Sequence, residues 1–593
     1  MSEARRKVAR ATGLARNLAL VVQVAARHAI DDPALLALQV TRKLPHRAGT
    51  LAGRALSRLP GAGTRALGQQ IMGAEQLPEP ALRLLAEPQQ HLLGTLQRRI
   101  AAEVAVSYGL IDYQDLSLPA TVRARAAWDA GAVSQAIAIA QQNPGASAYA
   151  RRLIGEATAL DQNFLLTSPV PRVPSPVSTD GELAVLHLLT NSLPATQSGY
   201  TLRSHRLLSA LVDAGVKITA VTRLGYPAMV GGLLAEGTAR VDRITYRRLL
   251  LWRLGATLPQ RLQQSVAAIL KEVEGQRVDL VHTTTNYQNA LVAQAVARSL
   301  GVPWVYEVRG VMEETWVSGK KTEAARQQAE ASERFSLLRA RETQFCMEAD
   351  AVVTLSQTMK DLLVKRGVPA EKIVLAPNAV SDHLFEQNLT PQQARQQLGL
   401  DTEGQWVGSV TSVVPYEGLD TLLHAVALLR AAGADVRALI AGEGAARASL
   451  ERLAAELNLG KAAVFTGKLA PEDALLAHQS LDIFAVPRTN DRVCRSVTPL
   501  KPIEAMAVGR PVVMSNIPPL AELVHNAVAP GAGKLCETEN PEDMARVLTE
   551  FLTDPAACAE SVAQGRRFAR TRLWSHNAET LLALYRKTLS NYG

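Results

Sequence analysis

The sequence has little cysteine and no long apolar run. Its four cysteines, Cys346, Cys494, Cys536 and Cys558, form no CxxC pair, which favours reduced thiols in a cytosolic protein over a disulfide scaffold. No apolar core with a small-residue cleavage site follows the basic first residues, so we expect no signal peptide. The longest early apolar run, residues 18–26, is far shorter than the roughly 18 residues that a membrane-spanning helix needs.

Acidic residues are scarce at the amino-terminal end. Residues 1–70 hold 12 Lys/Arg against 3 Asp/Glu, so their net charge of +9 equals that of the whole chain. Such a basic arm, with apolar residues between its charges, can dock on an anionic membrane at about 1 kcal/mol per basic residue. A solvated, partly disordered tail is the alternative. No aromatic residues lie between the charges to stack on bases, so we expect no nucleic-acid partner.

Apolar residues make up 47% of the 593-residue chain and charged residues 20%, which is typical of a globular protein with several domains. Residues 1–165 are rich in Ala, Leu and Arg at helical spacing and predict an all-helical N-terminal region. Within it, residues 126–144 predict two helices separated by Gly131, similar to one tetratricopeptide hairpin. Four prolines in residues 166–182 predict a linker.

Strands and helices alternate after the linker. Apolar strands at residues 183–190, 216–222 and 278–285, separated by helices, predict a parallel sheet covered on both faces over residues 183–385. A second series begins near Gly404 and predicts another such domain over residues 386–570, followed by a helix at 571–593. We therefore expect two tandem doubly wound α/β domains, with a ligand site beyond the carboxyl ends of their strands and in a cleft between the domains.

Several motifs then carry a family resemblance. They are "IVLAPNAV" (373–380), "LIAGEG" (439–444), "VFTGKL" (464–469), "LDIFAVPR" (481–488) and "PIEAMAVGRPVV" (502–513). In this order and at these spacings, the chain from residue 182 onward resembles a family-4 glycosyltransferase of the GT-B type.

A closer resemblance concerns four further stretches, "LHLLTNSLPATQSGYTLRSH", "YEVRG", "YEGLD" and "VTPLKPIEAMA". They look like those of bacterial glycosyltransferases that accompany exopolysaccharide and exosortase clusters.

The resemblance implies an α/β GT-B fold, two Rossmann-like domains facing a cleft, with the acceptor on the first domain and the donor on the second. It implies that a sugar is transferred from a nucleotide-sugar donor with retention of its anomeric configuration. The donor nucleotide is expected to be UDP by default, with GDP as the alternative. No metal or other cofactor is expected to be required. We expect the acceptor to be a growing polysaccharide or a lipid-linked glycan. We expect a cytoplasmic protein in peripheral contact with the inner face of the membrane.

On the donor side, the resemblance assigns Glu504 to the ribose hydroxyls, since one carboxylate accepts two donors. It assigns Lys501 to the charge of the diphosphate. Backbone N–H groups of residues 498–501 would point at the same phosphates. The other expected donor-binding residues are Arg488, Thr498, Leu500, Gly442, Glu443, Arg495 and Ser496.

The sequence departs from the family pattern at three positions. Ser496 stands where another glutamate is usual, Ser409 where an arginine is common, and Glu417 where a lysine is common. Another cation must therefore offset the diphosphate. The candidates are Lys501, Arg488, Arg492 and Arg495, of which we rank Lys501 and Arg488 first.

On the acceptor side, Ser198, Gly199 and Tyr200 lie between the first strand and its helix, where glycine lets a ligand approach the backbone. Many family members carry a histidine where Arg309 stands here. Because arginine cannot act as a base, we expect Arg309, with Glu307, to neutralise the leaving phosphate or hold an anionic acceptor.

Two structural alternatives concern these acceptor-side residues. Glu307 and Arg309 point the same way from the strand, so the alternative is that they pair with each other. His282 ends a neighbouring strand, "LVHTTTN", and faces either the acceptor or the protein core.

Two other functions stay open from the sequence. A catalytically silent GT-B scaffold is favoured slightly by the three departures, at Ser409, Glu417 and Ser496. A sugar-nucleotide epimerase on the same fold is the second, and it would need no acceptor.

Overall fold

The computed structural model describes residues 3–592 except 42–45, 73, 75, 87–91, 168–181, 321 and 388. Most of the predicted linker therefore lies outside the described residues, as do Arg42 and Lys43 of the basic arm. The chain divides into two compact units, residues 1–352 with 585–593 (unit 1) and residues 353–584 (unit 2). Within the described ranges, none of the helices is both long and apolar enough to cross a membrane.

Unit 1 begins with the predicted helical region. Its helices are α1 (Glu3–Asp31), α2 (Pro33–Thr41), α3 (His46–Arg58), α4 (Ala62–Ile71), α5 (Glu79–Ala86), α6 (Leu92–Val106), α7 (Ala120–Asp129), α8 (Val133–Gln141) and α9 (Ser147–Leu160). The predicted hairpin is confirmed as α7 and α8. Gly131 between them has φ +88°, and an added Cβ would lie 2.2 Å from Ser332 Oγ, so the turn needs glycine.

Unit 1 continues with an α/β part built on its first sheet. The elements are β1 (Ala184–Leu189), α10 (Gly199–Asp213), β2 (Lys217–Thr222), β3 (Thr238–Val241), β4 (Ile244–Arg248), α11 (Leu258–Glu272), β5 (Leu280–Thr284), α12 (Tyr287–Leu300), β6 (Trp304–Val308), α13 (Met312–Ser318), α14 (Glu323–Glu330), α15 (Glu333–Glu348) and β7 (Ala351–Thr354). The predicted strands β1, β2 and β5 are confirmed, and β1 pairs in parallel with both others.

The first sheet has the order β3-β4-β2-β1-β5-β6-β7-β8, where β8 is Ile373–Leu375 and its residues are counted in unit 2. The short antiparallel pair of β3 and β4 at its edge was not predicted, because its sequence, "TARVDRITYRR", is polar and arginine-rich. The central strands β1, β5 and β6 are buried along their whole length, as their apolar sequences predict.

Helix α1 packs on the α/β part of unit 1. Asn17, which is fully buried, donates from Nδ2 to the carbonyl oxygen of Gly232 at 3.1 Å. Gln23 donates from Nε2 to the carbonyl oxygen of Trp252 at 2.6 Å. Residues 3–31 are therefore a docked helix, which argues against the solvated-tail alternative for this part of the arm.

Unit 2 holds the second sheet. Its elements are α16 (Gln357–Lys365), α17 (Pro391–Leu398), β9 (Gln405–Val410), α18 (Leu419–Ala431), β10 (Val436–Ala441), α19 (Arg447–Glu456), β11 (Ala463–Gly467), α20 (Pro471–Ser480), β12 (Ile483–Val486), α21 (Lys501–Ala507), β13 (Val512–Ser515), α22 (Pro518–Val524), β14 (Lys534–Cys536), α23 (Pro541–Thr553), α24 (Pro555–Arg570) and α25 (Trp574–Tyr592), the last ending in unit 1. The strand order is β11-β10-β9-β12-β13-β14, and all pairs are parallel. The second doubly wound α/β arrangement is thus confirmed.

Candidate active site

In unit 2, the loops at the carboxyl ends of β9, β10 and β12 pack tightly on one another. Gly442, after β10, has φ +149°, and an added Cβ would lie 1.8 Å from the carbonyl oxygen of Thr411. Gly418 has φ +64°, and its added Cβ would lie 1.9 Å from the carbonyl oxygen of Pro487, after β12. Side chains at these two positions would force the loops apart. This edge of the sheet is where a doubly wound fold binds its ligand.

Two of these loops are joined by a buried ion pair. Arg488 donates from Nε and Nη2 to the two carboxylate oxygens of Glu417, at 3.2 and 2.7 Å. Burial would lower the pKa of Arg488, but the Glu417 carboxylate raises it above its usual value. The positive charge of Arg488 is therefore matched by Glu417, the same residue that replaces the lysine common in the family. Ser409, the second departure, is buried within β9.

Glu504 lies on α21 and is 5% exposed. Its Oε2 lies 2.9 Å from Lys501 Nζ and 3.7 Å from Nε2 of His478. The His478 ring stacks on Phe484 of β12, with ring centroids 5.0 Å apart. The helix places Lys501 and Glu504 on one face because they are three residues apart. A carboxylate held between an ammonium group and an imidazole has acceptor sites suited to hydroxyl donors.

The loop before α21 holds the other predicted donor residues. Ser496 is buried, and its Oγ donates to the carbonyl oxygen of Val493 at 3.3 Å, so this side chain is engaged by its own turn. Thr498 accepts at its carbonyl oxygen from Asn378 Nδ2 at 2.9 Å. In the described part of the chain, its buried Oγ1 has no hydrogen-bond partner, and Thr498 lines a small cavity of about 10 Å³. Leu500 is also buried.

The remaining predicted donor residues lie nearer the surface. Arg495 is exposed and donates from Nε to Asn490 Oδ1 at 2.8 Å. Arg492 is half-buried in the same loop. Glu443 is exposed and forms an ion pair with Arg447 at 2.8 Å, while its carbonyl oxygen accepts from the backbone of the β9 loop.

In unit 1, the predicted acceptor loop forms the start of α10. Ser198 is the N-cap, and its Oγ accepts from the backbone N–H of Thr201 at 3.3 Å, while the Thr201 hydroxyl accepts from the Ser198 N–H at 2.8 Å. Apart from the neighbouring residues and the backbone of the same helix, no atom of the described residues lies within 4 Å of a Cβ added at Gly199, so the space beside it is open. Tyr200 is 52% exposed.

Glu307 and Arg309 form an ion pair with each other, which was the structural alternative predicted from the sequence. Arg309 Nη2 donates to Glu307 Oε2 at 2.6 Å, and Arg203 of α10 donates to Glu307 Oε1 at 2.7 Å. Burial would raise the pKa of Glu307, but Arg309 and Arg203 hold it well below its usual value. Arg309 Nη1 also donates to Ser204 Oγ at 2.7 Å and to the carbonyl oxygen of Tyr200 at 3.1 Å. The pair therefore positions the acceptor loop, while contact with a substrate stays a prediction.

His282 is held in the core of unit 1. Its Nδ1 lies 2.6 Å from the hydroxyl of Tyr585 on α25, and its Nε2 lies 3.5 Å from Glu307 Oε2. Its ring stacks on His187, with centroids 4.7 Å apart. Burial lowers the pKa of His187 well below its usual value, so that ring is neutral. With 1% of its surface exposed, His282 has a structural environment.

Sequence reasoning missed the partners that complete both clusters. Arg203, His478 and Tyr585 were not singled out. The signal for Arg203 was a basic residue among the apolar positions of "LRSHRLLSAL". The isolated histidine in "LLAHQSLDIF" was the corresponding signal for His478.

Comparisons with known proteins identify two matched regions of the chain. Residues 391–568 match the family "Glycosyl transferases group 1", and residues 198–379 match "Glycosyl transferase 4-like domain". Among curated relatives, D-inositol 3-phosphate glycosyltransferase from Rhodococcus jostii is 31% identical over 42% of this chain and 55% of its own length. The 2-deoxystreptamine glucosyltransferase of Streptomyces kanamyceticus is 26% identical over 65% of this chain and 97% of its own length. The chain thus spans about half the length of the inositol-phosphate relatives that it matches.

Solved structures give the fold. A sucrose-phosphate synthase from Thermosynechococcus elongatus superposes with a TM-score of 0.56 at 21% identity, over 69% of this chain and 100% of that chain. The catalytic domain of starch synthase IV from Arabidopsis thaliana gives a TM-score of 0.51 at 14% identity, again over 69% and 100%. Both family matches fall on the two doubly wound parts, and the helical region, residues 1–167, lies outside them. The chain therefore belongs to the family-4 glycosyltransferases, with the α/β GT-B fold.

Proposed function

We propose that the protein is a retaining glycosyltransferase that moves a sugar from a nucleotide-sugar donor to a growing polysaccharide or lipid-linked glycan. The observation that supports this most is the buried carboxylate of Glu504, beside Lys501, at the edge of the second sheet where the fold binds ligands. A solvated surface glutamate would not be enclosed in this way. The family relatives named above are themselves sugar transferases.

In the proposed donor site, Glu504 accepts hydrogen bonds from the ribose hydroxyls. Lys501, whose side chain is 29% exposed, offsets the charge of the diphosphate. Arg488 now ranks behind it, because Glu417 already matches its charge. Arg495 and Arg492 supply further positive charge near the same loop. We keep UDP as the first donor to test and GDP as the second.

In the proposed reaction, the acceptor hydroxyl attacks the anomeric carbon on the face that the nucleotide leaves. The C–O bond to the diphosphate breaks, and the leaving phosphate oxygen takes the acceptor proton. The protein then needs no separate base. Its contribution is positioning and charge stabilisation, which suits an arginine in place of the usual histidine on the acceptor side.

The acceptor is proposed to bind unit 1 near Tyr200, whose ring is half exposed and whose backbone is held by Arg309. We place the protein in the cytoplasm, in peripheral contact with the inner face of the membrane through part of residues 1–70. A lipid-linked glycan would be presented from that surface. The exopolysaccharide resemblance agrees with this acceptor class.

The test is product analysis with a panel of UDP-, GDP- and ADP-sugars and a lipid-extract acceptor. We expect release of a nucleoside diphosphate and a product that keeps the donor's anomeric configuration. Lys501→Met should slow release by about a hundredfold, the usual cost of removing one charge-stabilising group. Lys468→Met, which removes an exposed lysine of the same unit, is the control and should match the wild type.

The two other functions give different results in that assay. An isomerised donor without nucleoside diphosphate would identify an epimerase. A folded protein that binds no nucleotide and forms no product would indicate a silent scaffold, and the search for function would move to the helical region.

A further inference from the structure

The face of α1 that points away from the α/β part of unit 1 carries an apolar stripe that is exposed among the described residues. Val8, Leu18 and Val22 are 66%, 51% and 60% exposed, and exposed alanines stand at 11, 15, 26 and 29 between them. These positions recur every three or four residues, so they share one helix face. Gly13 and Leu20 are buried on the opposite face. No charged residue interrupts the stripe.

Large exposed apolar side chains of the α/β part adjoin the residues that α1 contacts. Asn17, on the buried face of α1, bonds to Gly232, which precedes Leu233 and Leu234, 59% and 81% exposed. The guanidinium of Arg16 lies 5.5 Å from the ring centroid of Trp252, which is 55% exposed. We call the stripe together with Leu233, Leu234 and Trp252 the α1 ridge.

The chain's positive charge is concentrated in the two segments that contribute to the α1 ridge. Residues 1–31, which include α1, hold 6 Lys/Arg against 2 Asp/Glu, a net of +4, and residues 223–261 hold 7 Arg against 2 Asp/Glu, a net of +5. Together the two segments account for the net charge of +9 of the whole chain, so the remaining residues net to zero. Arg253, directly after Trp252, is exposed, and Arg10 of α1 is exposed and forms an ion pair with Glu236 at 2.8 Å. A second copy docked on this ridge would bring like charges together, whereas an anionic surface is complementary to it.

We propose that the α1 ridge is a docking surface for an anionic lipid bilayer, with α1 lying in the plane of the interface. This rests on the proposed membrane contact and assigns its surface to α1 and the adjoining acceptor-side loops. The aliphatic side chains would enter the acyl boundary, Trp252 would sit at headgroup level, and the arginines would meet anionic headgroups. Unit 1 would then hold its acceptor site at the membrane from which a lipid-linked acceptor is presented.

The test is sedimentation of the full chain with vesicles of phosphatidylcholine alone and of phosphatidylcholine with about 30% phosphatidylglycerol. Leu18→Glu and Leu234→Glu place a charge on the ridge at exposed positions. Leu116→Glu, at a leucine 80% exposed in the loop after α6, is the matched control. We expect binding to the anionic vesicles to fall about tenfold or more in each ridge variant, the effect of losing one buried leucine. The control should bind like the wild type, and salt should weaken binding.

Three results would overturn the proposal. If both ridge variants bind the anionic vesicles as well as the wild type does, the α1 ridge is not the docking surface, and the membrane contact is made by another part of the chain. No binding to either vesicle would refute the membrane contact itself. A concentration-dependent dimer that Leu18→Glu abolishes, without vesicle binding, would make a second copy the occupant. Nucleotide binding should be measured on the same samples, and the ridge variants should bind nucleotide as the wild type does. This measurement distinguishes a failure of the membrane proposal from a failure of the proposed transfer reaction.

Discussion

The buried pair of Glu417 and Arg488 makes a sharp prediction about unit 2. Their side chains are 8% and 10% exposed, and two hydrogen bonds join them. Glu417→Gln keeps the shape and removes the charge, so Arg488 would keep an unmatched buried charge. Breaking one partner of a buried ion pair typically costs about 3–5 kcal/mol.

For a unit of this size, that loss lowers the melting temperature by roughly 6–20 °C. The measurement is differential scanning calorimetry of the full chain, following the transition that belongs to unit 2. Glu550→Gln is the control, because the Glu550–Lys534 pair lies in the same unit but is 41% and 30% exposed. Exposed pairs contribute about 0–1 kcal/mol, so the control should shift little.

The double variant Glu417→Leu/Arg488→Met removes both charges. It should recover part of the lost stability, because replacing a buried ion pair by apolar residues of similar size is often neutral. Equal small shifts for Glu417→Gln and Glu550→Gln would refute the structural role of the pair. Arg488 would then return to the first rank as a phosphate ligand.

Three other predictions concern stability. Glu307→Gln should lower the melting temperature by a constant amount above about pH 5. Because the pKa of Glu307 is depressed in the folded protein, the difference in melting temperature between variant and wild type should narrow as the pH falls below about 4.3. A difference that stays constant across that pH range would contradict the role of this carboxylate. Gly418→Ala should lower the free energy of unfolding, measured by chemical denaturation, more than Gly433→Ala does. Both glycines have a positive φ, which costs an alanine about 1–2 kcal/mol, but only a Cβ at residue 418 would also clash with a neighbouring atom. Equal losses of unfolding free energy in the two variants would contradict the close packing at Gly418. Tyr585→Phe should cost about 1–3 kcal/mol by leaving Nδ1 of His282 unbonded, and an unchanged melting temperature would argue against that bond.

The alternation of strands and helices could be predicted because buried parallel strands are continuous apolar runs. β1, β5, β9 and β12 are such runs, and each was found where the sequence placed it. The β3–β4 pair was missed because few of its residues are buried and apolar. The edge strand β3 has no fully buried residue, and β4 buries only Ile244 and Tyr246, among threonine and arginines.

The candidate site was only partly predictable. Glu504 and Lys501 are three residues apart on one helix, so their proximity follows from local geometry. The partners of Glu307 and His282 do not. Arg203 is 104 residues from Glu307, and Tyr585 is 303 residues from His282, so only the folded chain shows that they meet. Likewise, the charge of Arg488 is evident from the sequence, whereas the buried carboxylate that matches it is seen only in the folded chain.

The central claim is that unit 2 binds the nucleotide of a sugar donor through Glu504. The most direct measurement is the thermal shift of wild type, Glu504→Ala and the exposed control Glu560→Ala with UDP, GDP and ADP, each against its own unliganded baseline. Ligand at a hundred times its Kd stabilises the folded state by about 2.7 kcal/mol. We expect one nucleotide to shift the melting temperature of the wild type and of the control, and we expect this shift to be lost in Glu504→Ala. An equal shift in Glu504→Ala, or no shift with any nucleotide, would contradict it.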